Sequence, residues 1–436
     1  MLQPADFARR RRALIGALGP GCAAIVPASP VRVRSRDVDY PYRPDTNLLY
    51  LTGFREPEAV AVLVPGRADG EFVLFCRDRD PQRELWDGKR VGPDGAKEQF
   101  GADCAYPIGV LDEVMPGLLK GCDTVHYDLG SNPAFEARLG GWLKKLRDGS
   151  KERNKAPVQV AALDFYLHEM RLCKHETELE CMRSSAAVAV DAHKRGMRRT
   201  RPDMYEYEVE AEIVYRFNQS GATESYPSIV ASGANACILH YNENTSRMRD
   251  GDLLLVDAGC ELEGYASDIT RTWPVGGAYS PEQRAVYEIV LEAQRAAIEK
   301  MEPGVAILDP HHAAVDVITR GLKRIGLLKG KVSELIRDGA YREFFMHRTS
   351  HWLGMDVHDV GDYETDGEPR KLEPGMCCTV EPGIYIAAEN NDVPKDFRGI
   401  GIRIEDDVAV TGSGHEVLTA ALPKDPDEIE ALVGSG

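Results

Sequence analysis

The segment LLLVDAGCELEGYASDITRTWPV (253–275) ends an apolar, strand-like run on Asp257, where periodicity would otherwise put a buried position, and does so again at Asp268. Gly259 and Gly264 mark a turn region between them, so antiparallel pairing would carry both carboxylates to one end of a hairpin. Two buried carboxylates repel unless a cation joins them. Acids recur in two later strand-like stretches, Glu381 in CTVEPGIYI and Glu405 in GIGIRIEDD, the latter on the side of its strand away from Ile400, Ile402 and Ile404. Any one such residue is ordinarily a salt-bridged or edge-strand carboxylate. Four of them beside a histidine cluster make coincidence a poor explanation.

The cluster is HRTSHWLGMDVHD (347–359), which spends three of the chain's eleven histidines. It is not a zincin motif: Arg348 follows His347, and the His168-Glu169 and His175-Glu176 pairs lack the second histidine three positions on. Two Asp, two Glu and one His instead form an oxygen-rich set suited to Mn²⁺, Co²⁺ or Zn²⁺, and bridging carboxylates hold two such ions close together. That chemistry points to a dinuclear hydrolase, in which a water between the ions is acidified to a hydroxide nucleophile and a nearby carboxylate takes and returns its proton.

At 436 residues the chain is long enough for two cored domains. With 43% hydrophobic and 28% charged residues and no apolar run of membrane-spanning length, it reads as soluble and without a membrane partner. The N-terminal RRRRALIGALGPGCAAIVPA resembles a signal peptide only until Gly-Pro-Gly interrupts it; a helix followed by a strand explains it better. Ten cysteines without C-x-x-C spacing suggest reduced thiols in the cytoplasm, and Cys377-Cys378 reads as strand packing. A net charge of -17 argues against a nucleic-acid partner, and the basic runs 9–12 and 194–201 are expected to cover helix faces.

To about residue 160, strand-like runs (CAAIVPA, AVAVLVPG, EFVLFCRD) alternate with helical ones, which predicts an α/β domain; GSKERNKAP (149–157) is a linker candidate. Beyond it the pattern predicts one long helix over 168–199, a second over 205–221 ending at Gly221, and a third over 282–301. The segment 253–275 reads as a hairpin, and CCTVEPGIYI and GIGIRIEDDVAVT as strands. GPGCAA (19–24) formally fits a dinucleotide fingerprint but follows a helix, which disfavours that reading.

The order Asp257, Asp268, His351, Glu381, Glu405, within VDAGCELEGYASDITRTWPV, SHWLGMDVHD, TVEPGIYI and GIRIEDD, resembles the aminopeptidase P group of the pita-bread metallopeptidases. ILHYNEN (238–244) and YPYRPDTNLLYLTGFREPEAV (40–60) extend the resemblance over nearly the whole chain. It implies an α/β non-catalytic N-terminal domain over 1–170 and an α+β pita-bread catalytic domain over 171–436. It further implies two divalent ions, manganese first with zinc or cobalt as alternatives: Asp257 on one ion, Asp268 and Glu405 bridging, His351 and Glu381 on the other. Glu381 would be the general base, His240 and His358 would donate to the peptide at the scissile bond, His347 would line a proline pocket, and Tyr385 and Arg403 would buttress Asp257 and the pocket wall. The implied reaction is hydrolysis of the N-terminal Xaa-Pro bond of peptides by a cytoplasmic homo-oligomer, dimer or tetramer, with Trp86 as a candidate to close a neighbouring subunit's site. Rivals are a prolidase restricted to Xaa-Pro dipeptides and a catalytically dead binding module; such modules lose ligands, and this chain retains all five. Creatinase-like chemistry, which works without these ligands, is disfavoured. Arg348 stands where many relatives have glycine.

Overall fold

The structure, a computed structural model, describes residues 2–149 and 156–436; the linker candidate falls largely on 150–155, outside the described residues. These residues form two compact units, Leu2–Met170 and Arg171–Gly436.

The first unit is built on a six-stranded sheet in the order Cys104–Pro107, Phe72–Cys76, Val60–Leu63, Cys22–Pro27, Thr124–His126, Gln159–Ala161. Its three central strands pair antiparallel, and pairing turns parallel toward both edges. Val60–Leu63 and Phe72–Cys76 are buried throughout, so they read as continuous apolar runs rather than alternating ones. Helix Pro4–Leu18 ends at Gly19, whose φ of 72° closes it, and strand Cys22–Pro27 follows, as the Gly-Pro-Gly interruption predicts. The basic run 9–12 departs from expectation. Arg10 and Arg11 are buried, donating to the carbonyls of Tyr50 and Leu51 at 2.9 Å each, with their guanidinium groups 4.2 Å over the Tyr50 and Phe72 rings. Those carbonyls lie in the last turn of helix Thr46–Thr52, where no intrahelical donor reaches them and a cation is favoured.

The helix expected over 168–199 is two, Asp164–Leu172, which ends just past the close of the first unit, and Glu176–Arg199 in the second. The break has a local cause: His175 caps the second helix, its backbone N–H bonded to Glu178 at 3.1 Å and its ring accepting from the Thr177 N–H at 3.4 Å. Helices Glu206–Gln219, Pro281–Ile298 and Asp309–Arg324 send apolar faces into the same core as strands Leu253–Asp257 and Asp406–Thr411. Leu253–Asp257 is the middle strand of an antiparallel sheet, between Ile229–Ser232 and Thr270–Pro274. The predicted hairpin is therefore present, but its connection folds into a ribbon of its own, Cys260–Leu262 with Tyr265–Ala266, joined to Thr223–Glu224. Gly259 permits the crossing, because a Cβ there would lie 1.8 Å from the Ser267 carbonyl oxygen. The two late strands each divide: Cys377–Val380 from Gly383–Ile386, and Ile400–Arg403 from Asp406–Thr411. Glu381 and Glu405 sit in the two breaks, released from their ladders and free to turn toward a common point.

Candidate metal centre and its cavity

Asp257 is the last residue of its strand and pairs with Thr270, two residues past Asp268, so the antiparallel register puts both aspartates at one sheet end. Tyr226 joins them, its hydroxyl 2.5 Å from an oxygen of each. A hydroxyl carries one proton, so it satisfies one of the two carboxylates at a time. From the other side Arg403 donates to Asp257 at 2.6 Å, to Tyr385 Oη at 3.0 Å and to Thr270 Oγ1 at 3.0 Å. Tyr385 then donates to His347 Nε2 at 2.9 Å, while His347 Nδ1 donates to the Arg348 carbonyl at 2.8 Å. Burial first, then the Arg403 charge, brings the His347 pKa down to about 4, so the ring is neutral near pH 7.

His351 Nδ1 donates to the Trp352 carbonyl at 3.0 Å, which turns Nε2 toward Asp268 at 3.4 Å and Glu381 at 3.6 Å. Fixing one ring nitrogen on a backbone oxygen leaves the other for a cation. One ligand atom each of Asp268, His351 and Glu405 lie within 4.8 Å of one another. Glu405 receives the Thr270 hydroxyl at 2.6 Å, and the Asp268 N–H is held 3.2 Å from each Asp407 oxygen. His358 packs edge-on against His351 with ring centroids 4.4 Å apart. Its loop is anchored from below: Asp359 is buried between Arg171 at 2.5 Å and Lys174 at 3.1 Å, and a Cβ on Gly354 would lie 2.0 Å from the Asp359 carboxylate.

The electrostatics follow from burying so many acids together. Burial, then the charges of Asp268, Glu381 and Asp257, push Glu405 well above the carboxylate range; burial pushes Glu381 up to about 7, against His351 and Arg403. Burial likewise raises Asp257, against Arg403. At Asp268 burial is outweighed by the hydrogen bond and charge of His351, which hold it low, and His351 itself rises to about 9, its carboxylate neighbours overcoming burial. The carboxylates of Asp257, Asp268, Glu381 and Glu405 therefore compete for the little positive charge that His351 and Arg403 supply. Divalent cations fit this donor set: oxygen-rich, one imidazole, and carboxylates that take on protons when nothing else neutralises them.

A cavity of about 590 Å³ opens over the cluster. Asp257, Asp268, His351, Glu381, Glu405, Arg403, His240, His347 and His358 all line it, and Tyr385 stands behind it through Arg403 and His347. Trp86 lies in the other unit, on helix Pro81–Asp87, and is 87% exposed. Tyr226, Thr270 and Asp407 were not singled out in the sequence. The one available signal for Tyr226 is its place in SYPSIV, just ahead of the strand that pairs Ile229 with Asp257.

Comparison with known proteins agrees along the whole chain. Residues 180–412 match the model of metallopeptidase family M24, and residues 7–127 match that of the aminopeptidase P N-terminal domain. The Xaa-Pro aminopeptidase of Escherichia coli K12 is 47% identical over 98% of this chain and 97% of its own length. The structure of Pseudomonas aeruginosa aminopeptidase PepP superimposes with a TM-score of 0.98 at 55% identity, covering 99% of this chain and 98% of that one. Zinc-substituted E. coli aminopeptidase P, in complex with product, does so with a TM-score of 0.96 at 47% identity, covering 99% and 98%. The chain belongs to metallopeptidase family M24, in its aminopeptidase P branch, with an α/β N-terminal domain ahead of a pita-bread catalytic domain.

Proposed function

We propose that this chain is an Xaa-Pro aminopeptidase, which hydrolyses the bond between the first residue of a peptide and a proline in second position. The observation that carries the reading is the meeting of Asp257, Asp268, His351, Glu381 and Glu405 in one cavity that His240, His347 and His358 also line. Asp257, Asp268, His351, Glu381 and Glu405 would hold two divalent ions, manganese first. Bound there, they would supply the positive charge that lowers the pKa of water and polarises a carbonyl.

The chain's own residues do the rest. Glu381 takes the proton of the attacking water and returns it to the departing proline nitrogen. His358 and His240 donate to the scissile peptide as charge develops on its oxygen, an interaction that strengthens toward the transition state. His347, neutral and fixed by Tyr385 and the Arg348 carbonyl, forms a wall against the proline ring. Arg403 holds Asp257 and Tyr385 in register, so ligand and pocket wall are set by one guanidinium.

In this reading 1–170 is the non-catalytic domain and 171–436 the catalytic one, supported by the two compact units and the two family matches. The protein acts in the cytoplasm as a dimer or tetramer. The ten cysteines carry no C-x-x-C spacing, in keeping with a reducing compartment, and Leu85 and Trp86, 85% and 87% exposed, form an apolar tip suited to another copy. Among the described residues no helix is long and apolar enough to cross a membrane. The reading is tested with a peptide panel. Ala-Pro-Ala should be cleaved with a far higher kcat/KM than Ala-Ala-Ala; similar values remove the proline specificity, and turnover of Ala-Pro without Ala-Pro-Ala makes the enzyme a prolidase.

A further inference from the structure

The Arg348 carbonyl fixes His347, but the Arg348 side chain has no place in the mechanism above, and Arg348 lines the catalytic cavity together with His347. It also lines a second cavity, of about 310 Å³, and His347, Ser350 and Tyr363 are shared between the two, so the surfaces are continuous. The second cavity is basic. His311, His312, Arg342 and Arg348 line it, and among the described residues no Asp or Glu does, in a chain with 70 acidic residues against 53 Lys and Arg. His312 stands 3.8 Å from Asp309, Arg342 Nε reaches only the Tyr341 hydroxyl at 3.5 Å, and the exposed Arg348 guanidinium has no ion pair or hydrogen bond among the described residues. His311 falls to about 4, first through burial and then through His312, Arg348 and Arg342, so its ring is neutral and the two arginines carry the cavity's positive charge.

We infer that Arg348 is a specificity-determining residue that receives a carboxylate on the substrate beyond the proline, either the free C-terminus of a tripeptide or an acidic third side chain. The inference rests on the aminopeptidase reading, in which the peptide passes the acid cluster, then His347, and then reaches the residue that follows His347 in the chain. A guanidinium matches a carboxylate with two parallel hydrogen bonds, which glycine at this position could not offer. Because Arg348 is exposed, the gain is modest: about three- to tenfold in kcat/KM, expressed in KM rather than kcat and shrinking as salt is added.

The test uses manganese-loaded full-length enzyme, wild type and Arg348→Gln, with Arg348→Lys as the charge-retaining control. Ala-Pro-Ala against Ala-Pro-Ala-amide probes the C-terminal source, and Ala-Pro-Glu-amide against Ala-Pro-Gln-amide the side-chain source. The expected result is a lower KM for the acidic member of at least one pair in wild type, a ratio close to one in Arg348→Gln, and partial recovery in Arg348→Lys. A ratio near one for both pairs in wild type, or a preference that survives in Arg348→Gln, overturns the inference while leaving Xaa-Pro cleavage standing. Failure to cleave any of the four peptides overturns the aminopeptidase reading itself, and this inference with it.

Discussion

Glu405 and Asp406 are neighbours in the chain and both are buried, yet they are held in opposite ways. Asp406 accepts from Arg271 at 2.7 Å, Lys424 at 2.6 Å, the Gln294 amide at 2.6 Å and the Thr419 hydroxyl at 2.7 Å, and these cations outweigh burial and hold it below the carboxylate range. Glu405 receives one hydroxyl and faces Asp268, Glu381 and Asp257, so it is pushed the other way. Asp359 likewise brings its own cations, paired with Arg171 and Lys174. A buried acid that brings its own cation is part of the scaffold, whereas a buried group of acids short of cations is a site that awaits one.

The largest effects expected fall on the uncompensated side. Glu405→Gln and His351→Ala should each lose metal and lower turnover by more than about 10³-fold, and Glu405→Gln should cost the metal-stripped protein little stability. Metal analysis, calorimetry and kinetics on the same preparations check this. On the compensated side, Asp406→Ala leaves the buried Arg271 and the half-buried Lys424 without their acid and should cost about 3–5 kcal/mol of stability, read as a fall in melting temperature. Its stability loss should exceed that of metal-free Glu405→Gln, and the reverse order would break the comparison.

His358 sharpens the comparison inside the cavity. His358→Ala should keep both ions and its melting temperature, with kcat down by about 10² to 10³ and KM changed less, as when one donor to a developing oxyanion is removed. Metal loss in this variant would show that ligand and donor have been exchanged. The smallest effect expected is in pH dependence at His193. Its Nε2 donates to the Ala258 carbonyl at 2.9 Å, its Nδ1 is buried without a partner among the described residues, and burial brings its pKa down to about 4. The folded state binds this proton less readily than the unfolded chain, so its stabilising contribution is complete above about pH 6.5 and falls away toward pH 4. The loss is at most about 3 kcal/mol. Melting curves across that window should flatten in His193→Gln.

What the sequence discloses follows the range of each interaction. Asp257, Asp268, His351, Glu381 and Glu405 were legible because each sits in a short stretch where an acid or imidazole interrupts an apolar run. The alternation of strands and helices in the first unit was legible for the same local reason. Tyr226, which touches acids 31 and 42 residues away, carries no such signal, and neither does Asp407, which holds a backbone N–H 139 residues distant. The helix break at 173–175 was hidden because apolar periodicity runs on through it, and a histidine is an unusual cap. Arg10 and Arg11 misled because a basic run on a helix normally faces water, and only a distant helix end gives these two a buried partner.

The central claim is that the uncompensated acids form a centre for two metal ions that drives hydrolysis. It is tested most directly by titrating metal-stripped protein with manganese in a calorimeter while following cleavage of Ala-Pro-Ala. The account predicts two ions per chain in wild type with activity rising as they bind, and fewer than two, without activity, in Glu405→Ala. Two tightly held ions in Glu405→Ala, or a wild-type protein that cleaves the peptide at full rate without metal, would contradict it.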